Sequence, residues 1–363
     1  MKISFVIGSL NYSGAEKVLS ELIKKLALKK NEISLLLLDD KENYYEIENN
    51  IKVYGCFVEG SKLSRIIKRR EKIKTTLKLI NPDLVVSFGH VCNINTISSL
   101  IGNRNYPLIV CERNDPFYDP RSFSQKVIRN FLYRFSNGYV FQTKEIQSYF
   151  SKSIQFKSAV ISNPVIDLNI KQKEYTNFNF NLVTVGRLDR YQKNQMLLIR
   201  AFENILQYHP EAKLNIYGEG PSRNEYQKYI NSKELEESIF LRGKVEDLNE
   251  KILENDIFIL CSRFEGMPNA LIEAMSFGMP CISTDCGGGG AKALINNNKN
   301  GLVVPNFNIK ELELAIQKMI SNKEFRIECG MEARKITEKL EINQIVDEWI
   351  YFFKKVVKKE IKK

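Results

Sequence analysis

Short apolar runs alternate with amphipathic segments of helix length along most of the chain, the pattern of parallel strands joined by crossover helices. Strands are predicted near 3–8, 33–38, 51–55, 84–88, 107–111, 138–141 and 158–161, and again near 181–185, 213–217, 238–241, 257–261, 280–283 and 301–304. Between the two sets, Asn163-Pro164-Val165-Ile166-Asp167 and the polar stretch from Lys171 to Asn181 read as hinge and linker. Beyond 305 the pattern is wholly helical, and the last segment, 341–363, crowds Trp349, Ile350, Phe352, Phe353 and Val356 together before a lysine-rich end. The expectation is an α/β chain with two doubly wound parallel-sheet domains, 1–165 and 166–340, and a C-terminal helix over 341–363 packing back on the first. Two such domains facing each other would leave a cleft at the C-terminal ends of their strands, where open α/β sheets bind ligands.

Composition narrows the class. At 363 residues the chain is too long for one ordinary core. Its longest apolar runs, such as Ile257 to Cys261, fall far short of the roughly 20 residues a membrane span needs. The first residues read as a strand rather than a signal peptide, which places the protein in the cytoplasm. Seven scattered cysteines form no C-x-x-C pair and read as reduced core thiols. The net charge of +11 is unevenly spread: residues 1–165 hold 25 basic and 15 acidic side chains, residues 166–363 hold 29 and 28. Within the first half, residues 61–134 carry 14 basic and 5 acidic side chains, which suits a surface meeting phospholipid headgroups, a pyrophosphate-linked substrate or nucleic acid.

The candidate chemistry sits at predicted strand ends. In residues 264–280 two carboxylates, Glu265 and Glu273, flank the start of a helix that Pro268 would open. A glutamate pair at this spacing arises by chance in a chain of this length; the surrounding Gly266, Pro268, Gly278 and Pro280 make the pattern specific. Gly186-Arg187-Leu188-Asp189 ends another strand, and Lys193 follows near the next helix start. Two cations there make a diphosphate clamp able to stabilise a departing nucleoside diphosphate without metal, the alternative being a plain surface loop. Gly218-Glu219-Gly220 repeats the layout, with a tight turn as an equal reading, and the run Gly287 to Gly290 is either a phosphate or sugar cradle or a flexible loop. The loop from Gly8 to Gly14 lies at the end of the first strand. His90 follows the strand at 84–88 and is a candidate for holding a sugar hydroxyl or assisting catalysis, whereas His209 reads as structural. Glu112-Arg113 follows a further strand, where Arg113 would meet an acceptor phosphate or take part in a salt-bridged loop. The chain has no D-x-D triplet, no G-x-x-x-x-G-K-[ST] and no G-x-S-x-G, and its N-terminal loop lacks a long G-x-G-x-x-G.

In this order, Ser13-Gly14-Ala15-Glu16, Asn163-Pro164, Gly186-Arg187-Leu188 with Lys193-Asn194, Gly218-Glu219-Gly220, Gly243, and Glu265 through Glu273 with Gly278 and Pro280 resemble retaining glycosyltransferase family 4, of GT-B architecture with two facing Rossmann-like domains. The resemblance implies that Arg187 and Lys193 hold the donor diphosphate, Glu273 the ribose and Glu265 the donor sugar. The backbone near Asn269, Ala270 and Leu271 would reach phosphate, and residues around Lys244 the base. Gly14, Gly186 and Gly218 join the donor side; Ser13, Glu112 and Arg113 fall to the acceptor side, and His90 to catalysis. It also implies transfer with retention, no essential metal or other cofactor, and no separate nucleophile. Two departures stand out: Ser13-Gly14 replaces a glycine pair, and Ala293 beside Lys292 stands where an acidic residue is common.

Ser-Gly-Ala-Glu with a later Glu-Arg-Asn is most similar to bacterial enzymes that build capsule, O-antigen or other glycans on undecaprenyl diphosphate. The expected activity is transfer of a hexose or N-acetylhexosamine, from a UDP-sugar first of all, to a lipid-linked saccharide at the inner face of the plasma membrane. Lys62 to Ile80 carries Leu63, Ile66, Ile67, Ile73, Leu77 and Ile80 as one apolar stripe among cations, a core face in preference to a membrane anchor. Phe117-Tyr118, Phe123 and Phe131-Leu132-Tyr133 among Arg121, Lys126, Arg129 and Arg134 form a basic-aromatic segment suited to anionic headgroups or an acceptor diphosphate. The rivals are a sugar-nucleotide 2-epimerase of the same architecture and a non-enzymatic binder of nucleic acid or another anionic surface. The first would need a set of acid-base carboxylates in the cleft, and the second lacks a recognisable reading module, so no nucleic-acid partner is expected.

Overall fold

The computed structural model describes residues 1–11, 14–39, 47–102, 105–166, 171–175 and 177–361. Thirteen strands are formed among them: β1 Lys2–Ile7, β2 Glu32–Leu37, β3 Lys52–Gly55, β4 Leu84–Phe88, β5 Leu108–Cys111, β6 Gly138–Phe141, β7 Ser158–Val160, β8 Asn181–Val185, β9 Lys213–Tyr217, β10 Ile239–Gly243, β11 Ile257–Leu260, β12 Cys281–Thr284 and β13 Leu302–Val304. The chain divides into two compact units, Met1–Ile166 with Leu340–Lys363, and Asp167–Lys339.

The first unit is a seven-stranded sheet in the order β3-β2-β1-β4-β5-β6-β7, with every neighbouring pair parallel. Strands β4, β5 and β6 are buried from end to end, which is why they read as unbroken apolar runs rather than alternating ones. The C-terminal helix Ile342–Ile361 belongs to this unit. Its Phe353 meets Phe5 edge-on at 6.4 Å, and Trp349 stacks on Phe88 at 5.8 Å. Gly138 makes room for it, since a Cβ there would lie 2.9 Å from Val356 and 3.2 Å from Phe352. Asn163, expected in the hinge, is buried and accepts from Gln142 at 2.8 Å, while the Val165 amide donates to the Leu340 carbonyl. The start of that stretch is therefore fastened into the first unit.

The helix Lys62–Ile80 departs from the single apolar stripe read in its sequence. Ile73 and Leu77 enter the core, but Ile66 and Ile67 are 45% and 56% exposed. Arg69 takes the inward place in the first half instead, donating to the Leu38 carbonyl at 3.2 Å and the Asp39 carboxylate at 2.7 Å. A later helix inverts the usual amphipathic arrangement. In Phe123–Tyr133 the side chains turned inward are Arg129 and Tyr133, while Phe123, Val127, Ile128 and Phe131 are exposed.

The second unit is a six-stranded parallel sheet in the order β10-β9-β8-β11-β12-β13. Helix Gln195–Ile205 buries eight of its eleven residues against it and packs on Ile309–Ser321. Lys173 ties the segment leading into this unit to the sheet, 3.2 Å from the buried Asp256 carboxylate. All seven cysteines are free and buried, and burial raises each thiol. No helix among the described residues is long and apolar enough to cross a membrane.

Candidate active site

Doubly wound sheets bind ligands where the strand order reverses. In the second unit the reversal lies between β8 and β11, and the loops after these strands carry Arg187 and Lys193 on one side and Glu265 on the other. The β8 loop is organised by Asp189, whose carboxylate accepts from the Tyr191 amide at 2.8 Å and whose carbonyl accepts from Lys193 and Asn194. A Cβ on Gly186 would lie 3.6 Å from the Lys193 side chain, so Lys193 runs across the glycine toward β11. Its Nζ lies 2.5 Å from Glu265 Oε1. The same carboxylate oxygen accepts from Ser262 Oγ at 2.7 Å, and Thr284 Oγ1 holds the Ser262 carbonyl at 2.7 Å. Glu265 and Ser262 are buried, whereas Lys193 is partly exposed.

Arg187 differs from Lys193. Its side chain is exposed and makes no hydrogen bond or ion pair among the described residues, while its carbonyl accepts from Gln195 Nε2 at 2.9 Å. The loop is thus fixed while the guanidinium stays available. Two glycines expected to admit a ligand admit this loop instead. A Cβ on Gly218 would lie 2.1 Å from the Gly186 carbonyl, and one on Gly220 would lie 2.4 Å from the Leu188 carbonyl. The Gly218 amide donates to the Gly243 carbonyl at 2.8 Å, which brings the exposed Lys244 beside that turn.

The glycine run after β12 packs on the Glu265 loop. Glu265 N donates to the Gly287 carbonyl at 2.9 Å, and a Cβ on Gly290 would fall 2.3 Å from the Gly266 carbonyl. Helix Asn269–Ser276 begins beside this junction, with Pro268 as its N-cap and no side chain capping it, and Leu271 N and Ile272 N donate to the Pro268 carbonyl at 3.2 Å. Asn269, Ala270 and Glu273 are half-buried, and Leu271 is buried.

In the first unit the reversal lies between β1 and β4. Gly14 opens the helix Gly14–Leu28 after β1, and Ser13 lies outside the described residues. His90 opens the helix His90–Leu100 after β4, with Nδ1 3.4 Å from Asp119 Oδ2. Burial opposes a charge on His90, but the hydrogen bond and charge of Asp119, aided by Glu112 and against Arg129, raise its pKa above the ordinary value. Asp119 is lowered: burial opposes this, and His90, Asn114 and Arg129 outweigh it. Glu112 is buried, raised chiefly by desolvation, and accepts from the Tyr133 hydroxyl at 2.8 Å. Arg129 is fully buried and donates to the carbonyls of Asp119 and Pro116 at 2.8 and 3.2 Å. Arg113 donates to Asn163 Oδ1 at 2.5 Å and lies over the Phe88 ring at 5.2 Å. Glu112 and Arg113 are therefore engaged within their own unit.

The sequence context of Asp119, Asp189 and Ser262 does not mark them as site residues, and Arg129 and Tyr133, expected in a basic-aromatic segment facing headgroups or an acceptor diphosphate, are instead buried. Asp119 stands 29 positions after His90 with no local pattern joining them, and the one signal was the density of polar residues from Glu112 to Asp119. Ser262 stands two residues after the end of a buried strand, a placement that could have marked it. Among the described residues no cluster of three or more His, Cys, Asp or Glu side chains could hold a metal ion.

Residues 167–336 match the family "Glycosyl transferases group 1". A Campylobacter jejuni protein named GalNAc-alpha-(1->4)-GalNAc-alpha-(1->3)-diNAcBac-PP-undecaprenol alpha-1,4-N-acetyl-D-galactosaminyltransferase is 28% identical over 358 residues, 96% of this chain and 97% of its own length. An uncharacterized glycosyltransferase of Methanocaldococcus jannaschii is 31% identical over 246 residues, 61% of this chain and 60% of its own length. The crystal structure of Anabaena HepE in complex with UDP and glucose superposes with a TM-score of 0.83 at 20% identity, covering 97% of this chain and 98% of that one. The fold is GT-B, built from two Rossmann-like parallel-sheet units.

Proposed function

We propose that this chain, whose residues 167–336 match the family of glycosyl transferases group 1, is a glycosyltransferase that moves a hexose or N-acetylhexosamine with retention from a UDP-sugar to a saccharide carried on undecaprenyl diphosphate, in the assembly of a surface polysaccharide. The observation that carries the reading is the meeting of Lys193 and Glu265 at the strand reversal of the second unit, with the exposed Arg187 in the same β8 loop. Names among the relatives support the acceptor class, since the Campylobacter jejuni protein is a transferase acting on an undecaprenol-linked saccharide.

In this mechanism the bond between the anomeric carbon and the diphosphate oxygen breaks as an acceptor hydroxyl attacks from the same face. The acceptor proton passes to the departing diphosphate. Arg187 and Lys193 neutralise the charge that develops on the leaving group, where preorganised cations act most strongly. The N-terminal end of helix Asn269–Ser276 receives a phosphate, Glu273 binds the ribose and Glu265 binds hydroxyls of the sugar in transit. Lys244 and the turn at Gly218 border the base. In this reading Gly14 is assigned to donor binding, His90 to catalysis, and Ser13, Glu112 and Arg113 to acceptor binding. No metal or other cofactor takes part, because the charge work is assigned to the two cations. The enzyme works at the inner membrane surface, held there by the first unit.

The experiment is a panel of UDP- and GDP-sugars scored for nucleoside diphosphate release, with the anomeric configuration of the product read by NMR. Release from one donor with retained configuration is expected, and it should vanish in a folded Arg187→Ala/Lys193→Ala protein. An inverted product would sink the retaining mechanism. Epimer formation from donor alone would instead point to an isomerase.

A further inference from the structure

Among the exposed aromatic side chains, Phe307 is held in a conformation that its residue type disfavours. It follows β13 with φ of 61°, in the left-handed region where a bulky residue is strained, and its side chain remains 55% exposed. The fold sustains the geometry from both sides. Phe307 N donates to Asn306 Oδ1 at 3.0 Å, and Asn308 caps the following helix by accepting from Glu311 N at 3.1 Å. The Arg263 guanidinium lies over the ring, 5.2 Å from its centroid, and its buried Nε has no hydrogen-bond partner.

Arg263 itself is where the loops of the second unit converge. Its amide donates to the Gln192 carbonyl at 2.7 Å, and its carbonyl accepts from Gly287 N at 2.9 Å and from Asn306 Nδ2 at 2.8 Å. The loops after β8, β12 and β13 are thereby fastened to the segment that, two residues on, carries Glu265. A strained aromatic ring kept in solvent, flanked by a guanidinium and locked to the loop of a sugar-binding carboxylate, has the chemistry to take a pyranose ring. The apolar C–H face of the sugar packs on the aromatic face and its hydroxyls meet the guanidinium. A nucleobase fits this place less well. Phe307 follows the strand at one edge of the sheet, whereas Lys244 follows β10 at the opposite edge.

We propose that Phe307 and Arg263 form a stacking platform for a pyranose ring of the acceptor glycan. The assignment to the acceptor rests on the function proposed above; the platform itself rests on the geometry of the second unit.

The test compares the full chain with its Phe307→Gly and Phe307→Tyr variants. Glycine accepts the positive φ, so the melting temperature of Phe307→Gly should stay the same or rise, which separates loss of the ring from loss of the fold. Saturation-transfer NMR with methyl α-N-acetylgalactosaminide and methyl α-glucoside is expected to show transfer from wild type to the ring C–H protons of at least one probe. That transfer should fall about tenfold in Phe307→Gly and persist in Phe307→Tyr. Equal transfer to wild type and Phe307→Gly, or none to wild type, overturns the platform. UDP release to water from the donor identified in the panel should be the same in wild type and Phe307→Gly; a parallel loss would give the ring to the donor sugar and overturn the acceptor assignment. Absence of UDP release from every donor in wild type would count against the proposed function, while the glycoside signal still decides the platform.

Discussion

Lys193 Nζ and Glu265 Oε1 lie 2.5 Å apart at the strand reversal of the second unit, although 72 residues separate them in the chain. The cation assigned to the donor diphosphate and the carboxylate assigned to the donor sugar hold one another. The pairing offsets the cost of a carboxylate that is only 6% exposed. Binding of a diphosphate would then redistribute this charge rather than meet a bare ammonium.

Lys193→Ala should therefore cost both stability and activity. Removing the partner of a buried carboxylate costs about 3–5 kcal/mol when both groups are buried, and about half that here because Lys193 is partly exposed. A melting temperature lowered by several degrees is expected, and most of the loss should return in Lys193→Ala/Glu265→Gln, which removes the orphaned charge. Turnover should return in neither. Thermal scans of the single and double variants check this, and equal destabilisation of both would show that the pair is not what holds Glu265.

Arg187→Ala should give the opposite profile. The side chain is exposed and has no partner among the described residues, so the melting temperature should not move, while loss of one leaving-group cation should lower kcat by about a hundredfold or more. Guanidinium ion added to the variant is expected to restore part of the rate. Unchanged kcat would remove Arg187 from the leaving-group site.

The His90–Asp119 contact gives a pH dependence with a definite sign. His90 is raised above its ordinary value of 6.5, so its contribution to stability is complete below 6.5 and disappears as pH climbs through the raised value. Asp119 is lowered below 3.8, so its contribution is present above 3.8 and disappears as pH falls through the lowered value. The pair thus favours the fold most between the two ordinary values. The chain has only two histidines, which makes the measurement direct. In an NMR titration His90 should titrate above 6.5 in wild type and lower in Asp119→Asn. A His90 midpoint indifferent to Asp119→Asn would dissolve the pairing.

Much of this architecture was legible in the sequence because strands buried on both faces leave unbroken apolar runs. Each of the thirteen observed strands overlaps an expected one, and the displaced end of β10, which runs to Gly243 rather than 241, lies at an irregularity in its register with β9. The site was legible one residue at a time. Lys193 and Glu265 each stood out beside a strand end, but their contact depends on β8 lying next to β11, which no local spacing records. Ile66 and Ile67 fitted a helical stripe yet stay in solvent, because periodicity reports which positions share a face and not how far the sheet beneath extends. Gly218 and Gly220 were expected to let a ligand approach or to make a tight turn, and the structure shows them against the backbone of Gly186 and Leu188, more than thirty residues away, a contact no local spacing records.

The helix Phe123–Tyr133 yields the last prediction, because it turns its apolar face outward. Arg129 is fully buried, stacked on Tyr149 and Phe150 and fixing the Asp119 loop, whereas Phe123 and Phe131 are 79% and 55% exposed. A helix that buries its arginine and exposes its phenylalanines loses transfer free energy in water that a bilayer interface would return, roughly 1.5–3 kcal/mol for each phenylalanine fully buried. The basic residues around it supply attraction to anionic headgroups, which salt screens. Co-sedimentation with phosphatidylglycerol vesicles should therefore be strong at low salt and weaken as salt rises. Phe123→Ser/Phe131→Ser should weaken it by about tenfold or more with little change in melting temperature, since neither ring is buried in the fold. Equal binding to neutral phosphatidylcholine vesicles at low and high salt would remove the electrostatic part, and an undiminished double variant would remove the apolar part.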